Sequence, residues 1–179
     1  MIDLFLILGF LRVRVGGFLE IGFGSIVIAF VAIMYGPADA MIVAALGETI
    51  NQLFFSPYGA SPTLPLWVFP VVVRALLIGV FANIYKKKGD HITNHILIYY
   101  LTLMGVSLVI SGLDTGLLYL DGAIMNYPVS YTFVQTIIRF GSSQVTAIIC
   151  ASITIPLYKG VMKALPKLKK KDISKEEEQ

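Results

Sequence analysis

Long apolar stretches, separated by short polar or glycine- and proline-rich segments, run along most of the chain. Six of them are interpreted as helices, at about residues 1–11, 21–35, 37–55, 66–85, 94–113 and 129–158. Most approach the roughly 20 apolar residues with which an α-helix crosses the hydrocarbon core of a bilayer. The pattern predicts an all-α integral membrane protein, a compact bundle of six transmembrane helices.

Glycine and proline mark the boundaries between these helices. A residue that precedes proline is pushed out of the α region, so Gly36-Pro37 ends one helix and Pro37 suits the first turn of the next. The segment 56–62 has the composition of a loop. Residues 1–11 follow no basic segment and precede no small-residue cleavage site, so we expect a first helix rather than a signal peptide.

Composition supports the membrane class and excludes several others. Hydrophobic residues make up 56% of the 179 residues and charged residues only 14%, and the mean hydropathy is +0.79. We expect a membrane domain over residues 1–160 and a charged cytoplasmic tail over 161–179, with no room for a large soluble catalytic domain. The single cysteine, Cys150, cannot form a disulfide within the chain.

The lysines predict how the chain is oriented. They cluster at residues 86–88, after the fourth helix, and between residues 159 and 171, after the sixth. Cytoplasmic loops are enriched in lysine and arginine, so both clusters should be cytoplasmic, which gives an N-in/C-in topology. Residues 12–22, 56–65 and 114–128 then form the outer loops. Because the lysines explain the net charge of +3, we expect no nucleic-acid partner.

Three charged residues inside the apolar stretches are the leading candidates for function. Glu48, Arg74 and Arg139 should lie roughly 10–15 Å below the outer surface, if each residue of a helix rises about 1.5 Å. Charges are costly inside a bilayer and usually face a cavity or a partner. One alternative is an ion pair that only holds helices together. Because there are two arginines and one glutamate, such a pair would leave one arginine without a counter-charge. A guanidinium without a counter-charge suits a carboxylate-bearing ligand.

Polar and aromatic side chains extend this candidate site. Asn51 and Gln52 lie one helical turn after Glu48 and share its face. The other candidates are placed near the outer rim by their position in the sequence: Tyr58, Trp67, Tyr127, Tyr131 and Gln135. For the aromatic residues the alternative is that they only anchor the protein at the membrane interface.

The chain lacks the common signatures of catalysis. It has no Walker A sequence, no HExxH, no GxSxG and no acidic metal cluster, so we expect neither an enzyme nor a cofactor or metal site. His91 and His95 are four residues apart and could form a metal pair, but two solvated loop histidines are the simpler interpretation. A self-sufficient small transporter or channel remains the alternative class.

Three stretches resemble the substrate-binding S components of energy-coupling factor (ECF) vitamin transporters. They are Ile21-Gly-Phe-Gly-Ser-Ile-Val-Ile-Ala-Phe-Val-Ala-Ile-Met-Tyr-Gly-Pro37, the following Ala-Asp-Ala-Met-Ile-Val-Ala-Ala-Leu-Gly-Glu48, and Arg74-Ala-Leu-Leu-Ile-Gly79. The resemblance implies a six-helix subunit of a bacterial plasma membrane that captures a vitamin from outside. It also implies a transmembrane coupling protein and two cytoplasmic ATPases as partners, on which the subunit topples to release its cargo.

The first helix departs from that family. Members carry an Ala-x-x-x-Ala motif there for docking on the coupling protein, and residues 1–11 have none. Small residues four apart let helices approach closely in lipid. Four alanines are therefore the candidates for this contact, with packing inside the chain as the alternative: Ala29, Ala32, Ala40 and Ala44.

The identity of the vitamin is argued from chemistry. An arginine at position 74 favours a small carboxylate, so pantothenate is the first candidate. The nearest rival is a neutral ring such as pyridoxine or hydroxymethylpyrimidine, bonded by Glu48 and Asn51 and stacked on Trp67. Folate is disfavoured, because folate-type members carry Phe-Pro-Gly-Phe-Thr where this chain has Leu66-Trp-Val-Phe-Pro70.

Overall fold

The computed structural model describes residues 12–15, 19–22, 24–54, 63–89, 91–126 and 128–164. Five α-helices account for most of this part of the chain: α1 Gly24–Met34, α2 Pro37–Phe54, α3 Leu64–Lys87, α4 Ile96–Met125 and α5 Val129–Ala164. A short 3₁₀ turn, Ile92–Asn94, joins α3 to α4. The predicted first helix, residues 1–11, lies outside the described residues, so the count of six stays a prediction.

The apolar character of the helices matches a multi-pass membrane protein. Among the described residues, α3, α4 and α5, with 24, 30 and 36 residues, are long and apolar enough to cross a bilayer. Helix α1 is also apolar but has only 11 residues, because Gly36-Pro37 ends it early. Helix α2 has 18 residues and includes Asp39 and Glu48. The membrane class therefore holds, while six spans and the N-in/C-in topology remain predictions.

A short β-hairpin precedes α1. Strands β1, Arg12–Val15, and β2, Leu19–Gly22, pair antiparallel with Arg12 opposite Gly22 and Val15 opposite Leu19. The sequence analysis assigned residues 12–22 to an outer loop and expected an all-α protein. The signal for a strand was present, since Arg12-Val13-Arg14-Val15 alternates polar and β-branched residues with a period of two.

The turn between α1 and α2 is held against α3. Gly36 has a φ of +105°, a conformation that favours glycine because it has no Cβ. Pro37 follows and begins α2. A Cβ built on Gly79 of α3 would lie only 2.5 Å from the Cα of Pro37, so the two backbones touch at a point where only glycine fits.

Helix α1 lies at the centre of the core. Its buried residues include Ile26, Phe30 and Ile33, and it packs against α2, α3 and α5. The four alanines proposed for docking are also inside: Ala29, Ala32 and Ala40 are 0% exposed and Ala44 is 1% exposed. This burial supports the alternative that these alanines pack the chain's own helices. A docking contact at these alanines stays a prediction without support from the structure.

Helices α4 and α5 are longer than the sequence analysis predicted. Residues 114–128 were expected to form an outer loop, but α4 continues to Met125 because Leu117, Leu118 and Leu120 extend its apolar face. It ends at Asn126, which has a left-handed φ of 57°. The last helix likewise runs to Ala164 rather than to residue 158.

Candidate ligand-binding site

Arg74 joins α3 to the start of α1. Its Nη1 donates a hydrogen bond to Ser25 Oγ at 3.0 Å, and its side chain is half-buried. Ser25 lies in the first turn of α1, immediately after the β-hairpin. The residue that the sequence singled out is therefore inside the bundle and bonded to another helix, as expected for a charge in an apolar segment.

Helix α4 contributes a half-buried carboxyl, Asp114, to this part of the bundle. Its electrostatic surroundings include Arg74 and Arg139. Sequence reasoning missed this residue because it assigned residues 114–128 to a solvated loop. A continuous apolar pattern through Leu117, Leu118 and Leu120 was the signal that could have placed Asp114 on a helix.

The register of α4 against α5 places Asp114 independently. Ser111 Oγ and Ser143 Oγ are 2.6 Å apart, and Ser107 Oγ donates to the Ser143 carbonyl at 3.0 Å. Asp114 follows Ser111 by about one helical turn, and Arg139 precedes Ser143 by about one turn. Because the helices are antiparallel, the two charged residues are level with each other.

Arg139 stacks on the only tryptophan of the chain. Its guanidinium carbon lies 4.6 Å from the centroid of the Trp67 ring, a distance at which the cation is attracted to the face of the ring. Trp67 precedes Arg74 by seven residues, so both lie on one face of α3. Arg139 and Trp67, which the sequence analysis proposed for one site, are therefore in direct contact, and a shared site with Arg74 stays a prediction.

Glu48 forms a polar group with its neighbours on α2. Gln52 Nε2 donates to Glu48 Oε1 at 2.7 Å, and Asn51 Nδ2 lies 3.4 Å from both carboxylate oxygens. Asn51 is buried, while Glu48 and Gln52 are half-buried. The predicted i+3 and i+4 cluster therefore forms. A contact of Glu48 with the two arginines stays a prediction.

Two of the remaining candidates, Tyr131 and Gln135, lie on α5. Tyr131, Gln135 and Arg139 are spaced by four residues and so follow one face of that helix. Tyr131 is 44% exposed and Gln135 is half-buried. Tyr58 and Tyr127 lie outside the described residues. A ligand contact of any of these tyrosines or of Gln135 stays a prediction.

A cavity opens between α1, α3, α4 and α5. The space between its lining residues is about 310 Å³, which includes open solvent at its mouth. Hydroxyl and guanidinium groups share the wall with aliphatic side chains. The lining residues are Ser25, Arg74, Ile78, Leu103, Val106, Ser107, Ser143, Thr146, Ala147 and Cys150.

Gln144 is a second residue that the sequence analysis did not identify. Both its amide nitrogen and its amide oxygen are buried, and neither has a hydrogen-bond partner within the described structure. Its neighbours Ser143 and Ala147 line the cavity. Buried polar groups are nearly always hydrogen-bonded in proteins, so this amide is a candidate for contact with a ligand, although Gln144 is not itself among the residues that line the cavity.

The two histidines at the start of α4 contact different tyrosines. His91 Nδ1 lies 3.2 Å from Tyr158 Oη, and the His95 ring centroid lies 6.0 Å from that of Tyr85. Within the residues that the structure describes, no group of three or more His, Cys, Asp or Glu side chains could hold a metal ion. The tyrosine contacts favour a packing role for both histidines.

Comparison with known proteins gives one match. A family model described as the S component of an ECF-type riboflavin transporter matches residues 1–163. No curated protein and no solved structure matches the chain significantly. The match covers nearly the whole chain, including α1 to α4 and all of α5 except Ala164.

Proposed function

We propose that this chain, which belongs to the family of ECF-type riboflavin transporter S components, captures riboflavin at the outer side of a membrane for import. S components are the substrate-binding subunits of transporters and are not enzymes. The family match over residues 1–163 is the observation that carries the proposal. Riboflavin enters through the name of the family, and the charges of the site support it over pantothenate.

The charge balance favours an uncharged cargo. Pantothenate was the first candidate because Glu48 alone would leave one of two arginines without a counter-charge. The structure adds Asp114, a half-buried carboxyl whose electrostatic surroundings include Arg74 and Arg139. Counted as ionised, Glu48 and Asp114 balance the charges of the two guanidiniums, so the site does not require a carboxylate ligand as a counter-charge. Riboflavin carries no charge at neutral pH and needs none.

The remaining groups suit a flat, polar ring. The Trp67 ring with the Arg139 guanidinium over it provides a planar surface, on which an aromatic ligand can stack. The Gln144 amide offers one donor side and one acceptor side, which complements the alternating N–H and C=O groups along the edge of a flavin. A pyridoxine or hydroxymethylpyrimidine ring could also stack on this surface, but it lacks the long edge of alternating donors and acceptors.

The cargo then has to pass to other subunits. The resemblance to S components suggests a transmembrane coupling protein and two cytoplasmic ATPases as partners, in a bacterial plasma membrane, with both termini of this chain inside. ATP hydrolysis would take place in those partners, and the chain would topple to release its cargo. Because Ala29, Ala32, Ala40 and Ala44 are buried within the chain, we favour other residues for docking.

Fluorescence of Trp67 tests the cargo directly. Riboflavin absorbs where tryptophan emits, so titration of the purified protein should quench the only tryptophan until one riboflavin is bound per chain. Pantothenate, pyridoxine, hydroxymethylpyrimidine and folate, added in excess, should leave the quenching by riboflavin unchanged. No saturable quenching by riboflavin would refute the assignment of cargo, and displacement by pantothenate would restore the carboxylate hypothesis.

A further inference from the structure

Hydroxyl side chains make up most of the polar wall of the cavity. The polar residues that line it are Ser25, Arg74, Ser107, Ser143 and Thr146. Among the described residues that line the cavity, none is acidic. The cavity therefore offers a ligand the hydroxyls of four residues and one guanidinium, between aliphatic side chains.

The protons of three of these hydroxyls are already used within the protein. Ser107 Oγ donates to the Ser143 carbonyl at 3.0 Å, and Thr146 Oγ1 donates to the Ser142 carbonyl at 2.8 Å. Ser143 Oγ donates to the Phe140 carbonyl at 2.9 Å. A hydroxyl has one proton and two lone pairs, so these three side chains are left to act as hydrogen-bond acceptors toward a ligand.

Arg74 and Ser25 supply donors to the same wall. Arg74 Nη1 donates to Ser25 Oγ at 3.0 Å, which uses one of the five N–H groups of the guanidinium and leaves Ser25 its own proton. A ligand in the cavity thus meets acceptors and donors a few ångströms apart. A carboxylate can only accept hydrogen bonds, whereas each hydroxyl of an alcohol both donates and accepts, so the wall is complementary to a neutral polyol.

The cavity and the Trp67–Arg139 contact lie at successive depths in the bundle. Arg74 of α3 and Cys150 of α5 both bond Ser25, at its hydroxyl and its carbonyl, so these two helices run in the same direction from the Trp67–Arg139 contact. Arg74 follows Trp67 by seven residues. At about 1.5 Å per residue, it lies roughly 10 Å further along its helix.

We propose that this cavity binds the ribityl side chain of the cargo, a linear polyol, with Ser107, Ser143 and Thr146 as acceptors. The flavin ring then stacks at the level of Trp67, and the side chain points along α3 and α5 toward Arg74. This inference rests on the proposed function, because it assumes that the cargo is riboflavin. It adds which part of the cargo the hydroxyl groups of α4 and α5 recognise.

The test compares two flavins in equilibrium dialysis of the purified full chain, with protein-free micelles as the blank. Lumiflavin has the ring of riboflavin but a methyl group in place of the ribityl chain. Wild-type protein should bind riboflavin at least about tenfold more tightly than lumiflavin, because several hydrogen bonds are lost with the chain. Thr146→Val removes one hydroxyl and keeps the branched side chain. It should weaken riboflavin binding about fivefold and change lumiflavin binding by less than about twofold.

Two further variants separate ligand contact from helix packing. Thr102 Oγ1 donates to the Ile98 carbonyl at 2.8 Å, the same bond within a helix that Thr146 makes, but Thr102 is not among the lining residues. Thr102→Val should therefore leave the affinities for both flavins within about twofold of wild type. Thr146→Ser keeps a hydroxyl and should retain most of the affinity for riboflavin. An equal loss in Thr102→Val and Thr146→Val would overturn the inference.

The outcomes distinguish this inference from the proposed function. If wild-type protein binds riboflavin and lumiflavin equally well, the inference fails whether or not any variant folds, and riboflavin capture stands. If Thr146→Val weakens the binding of both flavins equally, the hydroxyl does not recognise the side chain, and the inference fails again. If wild-type protein binds neither flavin, the proposed function fails, and this inference fails with it.

Discussion

Gly79 is the position where the packing of α3 can be tested most sharply. In a Gly79→Ala variant, the new Cβ would lie 2.5 Å from the Cα of Pro37 and 2.8 Å from both its N and its Cβ. Carbon atoms in contact are normally about 3.5–4.0 Å apart. The start of α2 and the middle of α3 must therefore separate by about 1 Å, and such overpacking costs about 1–3 kcal/mol.

A second glycine provides the matched control. Gly105 lies in the interior of α4 at an exposed position, and a Cβ built there meets nothing within 4 Å. Both substitutions gain the same helix propensity, about 0.5–1 kcal/mol. The difference between the two variants is therefore the steric term alone, about 1–3 kcal/mol in the free energy of unfolding.

Thermal unfolding in detergent micelles, followed by Trp67 fluorescence, measures this difference. For a chain of this size, 1 kcal/mol corresponds to about 2–4 °C in Tm, so Gly79→Ala should melt about 2–12 °C below Gly105→Ala. If the two variants melt at the same temperature, α3 does not contact the turn at Pro37 as described, and the argument for glycine at position 79 is refuted.

Three other predictions follow from described contacts. Trp67→Leu should weaken riboflavin binding about tenfold in equilibrium dialysis and Trp67→Phe by less than about threefold, since a ring is kept; equal losses would contradict stacking on this side chain. Ser111→Ala removes the 2.6 Å contact with Ser143 and should lower Tm by about 1–7 °C, because such bonds between membrane helices contribute about 0.6–1.7 kcal/mol. Ser142→Ala is the control, because Ser142 Oγ donates only to the Arg139 carbonyl of its own helix. An equal decrease in Tm in this control would show that the α4–α5 contact contributes nothing of its own. Liposomes that contain this chain alone should accumulate no riboflavin, and flux without partner subunits would favour the self-sufficient transporter.

Much of the helical layout could be predicted from the sequence. The boundary at Gly36-Pro37 is visible because proline restricts the residue before it and glycine permits a positive φ. The i+3 and i+4 spacing of Asn51 and Gln52 from Glu48 likewise predicts their hydrogen bonds, because residues at this spacing are neighbours on any α-helix. Such features depend on local geometry alone.

The ends of α4 and the hairpin were harder to predict. Gly112 and Asp114 resemble a helix end in sequence. The helix continues past them because the apolar residues that follow pack against the rest of the bundle, which the sequence alone does not show. The stop signals that operate are Asn126, with its left-handed backbone, and Pro128. The alternating pattern at residues 12–15 is only four residues long. Periodicity over so few residues is too weak a signal to predict a strand rather than a loop.

The charge partners at the site could not be predicted from one sequence. Depth along each helix placed Glu48, Arg74 and Arg139 in one layer, but depth says nothing about which faces of the helices meet. The serine contacts between α4 and α5 fix the rotation of these two helices, and they place Asp114 level with Arg139. Once this carboxylate is counted, the same physical argument that favoured a carboxylate cargo favours a neutral one.

Competition between two vitamins for the purified chain tests the central claim most directly. In equilibrium dialysis with labelled riboflavin, the account predicts one riboflavin retained per chain, with no displacement by a large excess of unlabelled pantothenate. Retention of labelled pantothenate instead, or failure to retain riboflavin at any concentration tested, would contradict it.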